Sequence, residues 1–352
     1  MTALADLLLR RIRAGGPLSI ADYMADCLLH PQHGYYTTRL PFGAGGDFIT
    51  APEISQMFGE MLGLCLAQAW QDQGAPAAFV LAELGPGRGT LMADVLRATR
   101  AVPGFHAAAG VVLIEASPAL RACQKATLAP HPVQWADSID TLPEMPLFLL
   151  ANEFFDALPI RQFQRHAEGW QERLVGERGG HLAFGLSAPT RMAVLEHRLA
   201  DTAPGDIVET CAPAQAIVAG LAARIERSGG AALLIDYGDW HSRGDTLQAL
   251  RRHAFADPLA DPGKADLTAH VDFEALAQAA APCAVAGPVP QGVLLERMGI
   301  TTRAQALAGR MTGAALTAHI AAHRRLTHPA EMGQLFKALA LHPRSAPPPP
   351  GF

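Results

Sequence analysis

Between Phe79 and Thr90 an apolar run breaks into three glycines spaced two apart, Phe-Val-Leu-Ala-Glu-Leu-Gly-Pro-Gly-Arg-Gly-Thr. Phe79 to Leu84 is apolar enough to be a buried strand, and Leu91-Met-Ala-Asp-Val-Leu-Arg97 has the spacing of the helix that follows it. Gly85, Gly87 and Gly89 form the turn between them. Glycine adopts positive φ without steric cost and lets a ligand approach the backbone closely. The helix start also aims unpaired N–H groups at that ligand. A strand, a glycine turn and a helix in this order restrict the chain to an α/β fold with a nucleotide-type cofactor loop.

The spacing narrows the cofactor. A dinucleotide fingerprint reads G-x-G-x-x-G and leaves room for a pyrophosphate; here it is G-x-G-x-G, with Glu83 two residues ahead of the first glycine. An acid beside the loop repels a pyrophosphate and suits a ligand that presents cations, such as the ammonium and sulfonium of S-adenosylmethionine. Gly110-Val-Val-Leu-Ile-Glu115 is a second buried strand, ending in an acid placed to accept from both ribose hydroxyls. Val133-Gln-Trp-Ala-Asp137-Ser138 is a third, with Asp137 and Ser138 suited to the adenine rim. The series resembles the class I S-adenosylmethionine-dependent methyltransferases. NAD binding, or glycines that merely close a strand–helix turn, stay open as alternatives.

The chain of 352 residues carries a formal net charge of −5 and no run of Lys or Arg, so nucleic acid is not the expected partner. Five scattered cysteines without a C-x-x-C pair exclude a disulfide framework or zinc site and suit a reducing compartment. Fourteen histidines form no H-E-x-x-H or similar cluster, so no metal is expected. Met1 to Arg13 is too short and interrupted to span a membrane and lacks the marks of a secretory signal; it reads as an amphipathic first helix. A cytoplasmic location is expected for a bacterial chain and the mitochondrial matrix for a eukaryotic one. Oligomeric state is not legible.

The expected architecture is a doubly wound class I methyltransferase (Rossmann-like) sheet with a helical N-terminal region and an inserted antiparallel and helical subdomain. Residues 1–75 form the helical region with a lid loop, 76–160 the cofactor core, and 161–228 the insertion. Residues 229–342 supply a return strand at Gly230 to Gly238, a long polar loop from Asp239 to His270, and C-terminal helices from Asp272 to His342. Residues 343–352, with four consecutive prolines, form a disordered tail. Pro146 to Ala151 is the fourth strand.

Directly after it stands Asn152-Glu153-Phe154-Phe155-Asp156-Ala157-Leu158-Pro159. One reading is a helix start, Asn152 as cap and the acids complementing the dipole. The other is a pocket with two carboxylates and phenylalanine walls. Such a pocket suits a guanidinium, which offers a planar donor fork and stacks on rings.

Gly46-Asp-Phe-Ile-Thr-Ala-Pro-Glu-Ile-Ser-Gln-Met-Phe-Gly-Glu60, Glu83 to Gly89, Asn152 to Pro159 and Asp236-Tyr-Gly238 together resemble the MidA family. Asp266 to Phe273 and Gln291-Gly292 extend the match, which runs from about Leu18 to Ile300. The resemblance implies a protein arginine methyltransferase that uses S-adenosyl-L-methionine and, as in the mitochondrial members, acts in assembly of respiratory complex I, on its large quinone-side subunit. It implies cofactor contacts at Gly85, Gly87, Gly89 and Glu115; Glu83, Asp137, Ser138 and Asn152 join them as expected cofactor-side residues. Glu153 and Asp156 would face the arginine, with Asp156 or Glu53 taking the proton. Tyr35, Tyr36 and Phe48 would wall a lid hinged at Gly43, Gly45 and Gly46, and Asp236, Asp266 and His270 would approach from later loops. Another methyl acceptor (lysine, a carboxylate, a small molecule), or a non-catalytic assembly factor on the same fold, are the competing readings.

Overall fold

The computed structural model describes residues 2–38 and 50–352. Its centre is a sheet of seven main strands: β1 (Phe79–Leu84), β2 (Ala109–Ile114), β3 (Val133–Ala136), β4 (Leu147–Asn152), β5 (Gly230–Asp239), β6 (Ala284–Pro290) and β7 (Phe336–His342). They lie in the order β6-β7-β5-β4-β1-β2-β3. β7 runs antiparallel to both its neighbours, and the others share one direction. The chain winds outward from β1 through β2 to β3, then returns to β4 on the other side. β1 and β4 therefore flank the point where strand order reverses, and in such sheets a ligand crevice opens beyond their carboxyl ends.

β1 and β4 are buried at every position because helices cover both faces. Phe79, Leu81, Phe148 and Leu150 face one core, and Val80, Ala82, Leu147 and Leu149 the other. Helix Gln56–Asp72 packs closely on helix Thr90–Thr99 because two of its residues have no side chain. A Cβ at Gly59 would stand 2.6 Å from Asp94 Cβ, and one at Gly63 3.0 Å from Val95 Cα. Buried Glu60 locks this layer: it accepts from Arg97 Nη1 at 2.6 Å and from Arg303 Nε and Nη2 at 2.7 and 3.0 Å.

The insertion is antiparallel, as the turn-rich sequence implies: Arg161–His166, Gly169–Arg178, His181–Leu186 and Ile207–Thr210 pair with one another, and Leu18–Ser19 joins Gly169–Arg178. Three expectations need correction. Asp239 to His270 is not a loop throughout: Gln248–Arg251 pairs with Ala254–Ala256 and with Asp266–Thr268 in a small sheet of its own. The stretch from Asp272 to His342 is not all helical. Two of its alanine-containing segments, Ala284–Pro290 and Phe336–His342, become β6 and β7, because a slot beside β5 offers ladder hydrogen bonds that outweigh helix propensity. The proline tail is not disordered. Phe352 packs on the core beside helix Gln56–Asp72, and Arg297 Nη1 donates to Gly351 O at 2.9 Å. Proline costs the tail little entropy on ordering, and one aromatic anchor is enough to hold it.

Burial raises the Glu60 carboxyl, but the hydrogen bonds from Arg303 and Arg97 outweigh it and hold the group below its usual value. Its contribution is therefore present above the unfolded-state value near pH 4 and lost as pH falls through the lower folded value. At pH 7, Glu60→Gln should lower stability by about 1–3 kcal/mol. In denaturant titrations the gap from wild type should narrow as pH falls through the lowered folded value; a gap of the same size throughout the acid range would remove the ion pairs as its cause.

Candidate functional site

Beyond the carboxyl ends of β1 and β4 lies a cavity of about 1120 Å³. Glu83, Gly85, Gly87, Glu115, Asp137, Asn152, Glu153, Asp156 and Glu53 all line it, so residues separated by up to a hundred positions converge. Gly89 and Ser138 do not line it. A second cavity of about 290 Å³ lies on the Phe155 side of His270, with walls mainly of apolar residues, and it lacks the glycine turn and the acids of β1 and β4.

All three loop glycines have positive φ: +60° at Gly85, +51° at Gly87 and +82° at Gly89. A Cβ at Gly85 would also stand 2.8 Å from the Phe154 ring. The turn is held from outside by fully buried Gln124, which the sequence did not single out. Its Nε2 donates to Gly87 O at 2.8 Å and to Glu115 Oε2 at 3.2 Å, while its Oε1 accepts from Trp135 Nε1 at 2.8 Å. Gln124 thus ties the turn, the acid after β2 and β3 to one another. Glu115 Oε1 accepts from the Ser117 N–H at 2.8 Å. Asp137 is the outlying member, largely exposed and paired with Arg121 at 2.5 Å.

Glu53 sits at the same turn, accepting from Thr90 Oγ1 at 2.6 Å and Arg88 Nη1 at 3.3 Å. Glu83 is buried and accepts from the Met92 N–H in the first turn of the following helix; its Oε2 has no partner.

After β4 no helix begins: residues 153–160 run through turns, so the helix-start reading of Asn152 and its acids is wrong. What shapes this loop instead is Asp236, fully buried on β5. Its Oδ2 accepts from three consecutive backbone N–H groups, Phe154 at 3.1 Å, Phe155 at 3.0 Å and Asp156 at 3.2 Å. Its Oδ1 accepts from the Tyr237 N–H at 3.0 Å. Glu153 is held at φ +50°, a conformation that costs a residue with a Cβ about 1 kcal/mol. Its Oε1 accepts from the Ala51 N–H at 3.0 Å and from Asn152 Nδ2 at 3.1 Å. Asp156 Oδ2 accepts from Tyr237 OH at 2.8 Å.

The two phenylalanines separate: Phe154 lines the cavity, and Phe155 packs into the core. The tyrosines do the same. Tyr35 is fully buried in the N-terminal core, whereas Tyr36 lines the cavity and donates to Asp266 Oδ1 at 2.8 Å. Phe48, Gly43, Gly45 and Gly46 lie outside the described residues. Asp266, His270 and Tyr237 line the cavity; Asp236 lies behind its wall. The His270 ring meets the Tyr237 ring edge-on at 5.3 Å, and burial, then Lys337, lowers its basicity.

The site is electrostatically unbalanced. Burial pushes Glu83 up to about 8, Glu153 to about 7 and Asp156 to about 6. Asp236 is raised by burial and by Asp156 and Glu153, with its backbone N–H donors opposing. Of the nearby cations, Arg88 pairs with Glu53, Lys337 donates to Gly238 O and Gln334 O, and the Arg325 charge partly offsets the rise at Glu153. Among the described residues lining this cavity, the buried side-chain atoms left without a partner are Glu83 Oε2, Asn152 Oδ1 and Asp156 Oδ1, all acceptors. A buried acceptor without a donor costs about 1–3 kcal/mol. The cavity therefore calls for a ligand rich in donors and positive charge. Among the described residues no cluster able to hold a metal occurs.

Residues 61–289 match the model of a family described as S-adenosyl-L-methionine-dependent methyltransferase. The protein arginine methyltransferase NDUFAF7, mitochondrial, of Danio rerio is 39% identical over 93% of this chain and 84% of its own length. The Homo sapiens protein of that name is 36% identical over 96% and 82%. A COG1565 superfamily member from Burkholderia thailandensis, solved with S-adenosyl-homocysteine bound, is 32% identical. It covers 99% of this chain and 94% of its own, with a TM-score of 0.85.

The cavity fits S-adenosyl-L-methionine: the orphaned acceptors match its ammonium, hydroxyl and amine donors, and the positive-φ turn allows close approach. A cationic cofactor must find Glu83, the acid beside the turn, ionised. Affinity for S-adenosylmethionine should therefore rise as pH climbs from 6 to 8, with a proton released on binding at pH 7. Calorimetry in buffers of different ionisation enthalpy measures both. Affinity flat across that range would show that Glu83 does not meet the cofactor's charge.

Proposed function

The chain belongs to the MidA family of S-adenosyl-L-methionine-dependent methyltransferases, and we propose that it methylates arginine side chains of a protein substrate. The observation that carries this reading is the cluster of carboxyls beside the cofactor turn, raised by burial and with acceptor oxygens left unpartnered. A guanidinium brings five N–H donors and a charge that persists at any physiological pH. Lysine would bring charge without the planar fork that two neighbouring carboxylates can grip.

Glu83, Gly85, Gly87, Glu115, Asp137 and Asn152 form the cofactor side. Gly89 shapes the turn at φ +82° without lining the cavity, and Ser138, which does not line it either, is left without a contact in this reading. When bound, S-adenosylmethionine supplies an electrophilic methyl group on a sulfonium. Glu153 accepts from the guanidinium, localises its charge on the far nitrogens and turns one nitrogen toward the methyl. Its place at the end of β4 and its strained φ aim the carboxylate into the cavity in one direction. Phe154 supplies a ring face. Arginine loses one proton as the methylated nitrogen forms, and Asp156 is the acceptor, oriented by Tyr237. Glu53 is less suited to that task, because Thr90 and Arg88 already occupy its oxygens; it anchors the start of the helix after the turn. Alignment and exclusion of water account for most of the acceleration.

We further propose a subunit of respiratory complex I as the substrate, on the family resemblance, and the compartment of complex I assembly (cytoplasm or mitochondrial matrix) as the location. No helix among the described residues is long and apolar enough to cross a membrane.

Glu115→Gln should weaken cofactor binding by about 1.5–3 kcal/mol, since a charge-assisted acceptor is lost. An unaltered affinity would place the ribose elsewhere. Glu153→Gln should leave cofactor affinity and melting temperature nearly unchanged, while methyl transfer from labelled donor into a quinone-side complex I subunit falls by orders of magnitude. Equal rates would refute the role of Glu153, and label on lysine would refute the substrate.

A further inference from the structure

The mouth of the catalytic cavity is apolar where its floor is acidic. Phe255 is 79% exposed, more than any other large apolar side chain among the described residues, and it lines the cavity. Leu29, at the end of helix Ile20–Leu29, is 53% exposed, and Leu335, just before β7, is 48% exposed; both line the same cavity. These three residues are eighty or more positions apart in the chain, so local sequence did not group them.

Phe255 is carried by the hairpin Gln248–Arg251/Ala254–Ala256, where it stands opposite Leu250, another lining residue. The connection is two residues, Arg252 and His253, with φ of +51° and +61°. A two-residue turn with both residues at positive φ fixes the hairpin register and hence which face Leu250 and Phe255 share. Exposed apolar groups gathered around one opening mark a surface made to be covered.

We propose that this rim docks an extended polypeptide segment whose apolar residues flank the arginine to be methylated. The inference rests on the arginine reading of the site. Glu153 and Asp156 lie at the cavity floor, so an arginine that reaches them must carry its sequence neighbours over Leu29, Phe255 and Leu335. The rim is thus continuous with the substrate site. The cavity also exceeds the space a cofactor-sized ligand ordinarily fills, leaving room for neighbouring side chains. The carboxyls below disfavour acidic neighbours by like-charge repulsion, and the rim favours apolar ones.

Two labelled peptides test this, with arginine flanked on both sides by leucine and phenylalanine or by serine. Both binding (fluorescence anisotropy) and methyl transfer are measured. Wild type should prefer the apolar-flanked peptide about tenfold or more, in Kd and KM and not in kcat. Phe255→Ser with Leu335→Ser should abolish the preference, leaving the serine-flanked peptide and S-adenosylhomocysteine affinity unchanged; both positions are exposed, so the fold is spared. Equal affinity of wild type for the two peptides, or a preference that survives both substitutions, overturns the proposal. So does a rim variant that converts a dimer to a monomer in sedimentation without altering peptide binding, since the rim then belongs to a second copy. A rim-dependent binding preference without methyl transfer to arginine would keep the docking surface and overturn the arginine reading instead.

Discussion

One carboxylate oxygen, Oδ2 of Asp236, gathers the backbone N–H groups of Phe154, Phe155 and Asp156. Three donors on one acceptor curl the chain at the end of β4 where a helix could otherwise have started. That curl points Phe154 at the glycine turn, sends Phe155 into the core and brings Asp156 to Tyr237. It also requires the left-handed conformation of Glu153. The arrangement is possible because β5 lies next to β4 in parallel register, with Ile235 opposite Asn152. Adjacency in the sheet thus converts a short acidic motif into a site.

The opposite wall follows the same logic with a neutral residue. Gln124 has both a donor and an acceptor to give, so it can join a carbonyl of the turn, the Glu115 carboxylate and the Trp135 ring without bringing a charge. Both walls are then stiff before any ligand arrives. The cost of that preorganisation is several raised carboxyls and orphaned acceptors in one cavity, and only a donor-rich cation relieves it. The apolar rim above, on a rigid hairpin and two separate segments, is the natural complement for the less polar remainder of a polypeptide.

Much of this was legible in the sequence where the signal was local. The β1 apolar run, the glycine spacing, and the acids at the ends of β1, β2 and β4 mark the strand ends because strand and turn occupy adjacent residues. Where the sequence misled, the deciding partner was distant. Ala-Leu repeats became β7 because β5 and β6 flank an open slot, and the proline tail ordered because Phe352 packs on the core and Pro350 O accepts from Cys65 Sγ. Asn152 and its acids carry every mark of a helix start, and Asp236, eighty residues on, claims the N–H groups a helix would have used.

The sequence by itself determined the α/β class and the glycine turn, because periodicity and spacing are properties of neighbouring residues, and its motifs carried the resemblance to the methyltransferase family. Only the tertiary structure decided which of two adjacent aromatics faces the cavity, that Gln124 holds the turn and Asp236 the loop, and that Leu29, Phe255 and Leu335 share one rim. Those outcomes depend on which strands lie side by side and on which donor reaches which acceptor across tens to hundreds of residues. Such pairings are set when the chain closes on itself, and no local pattern encodes them.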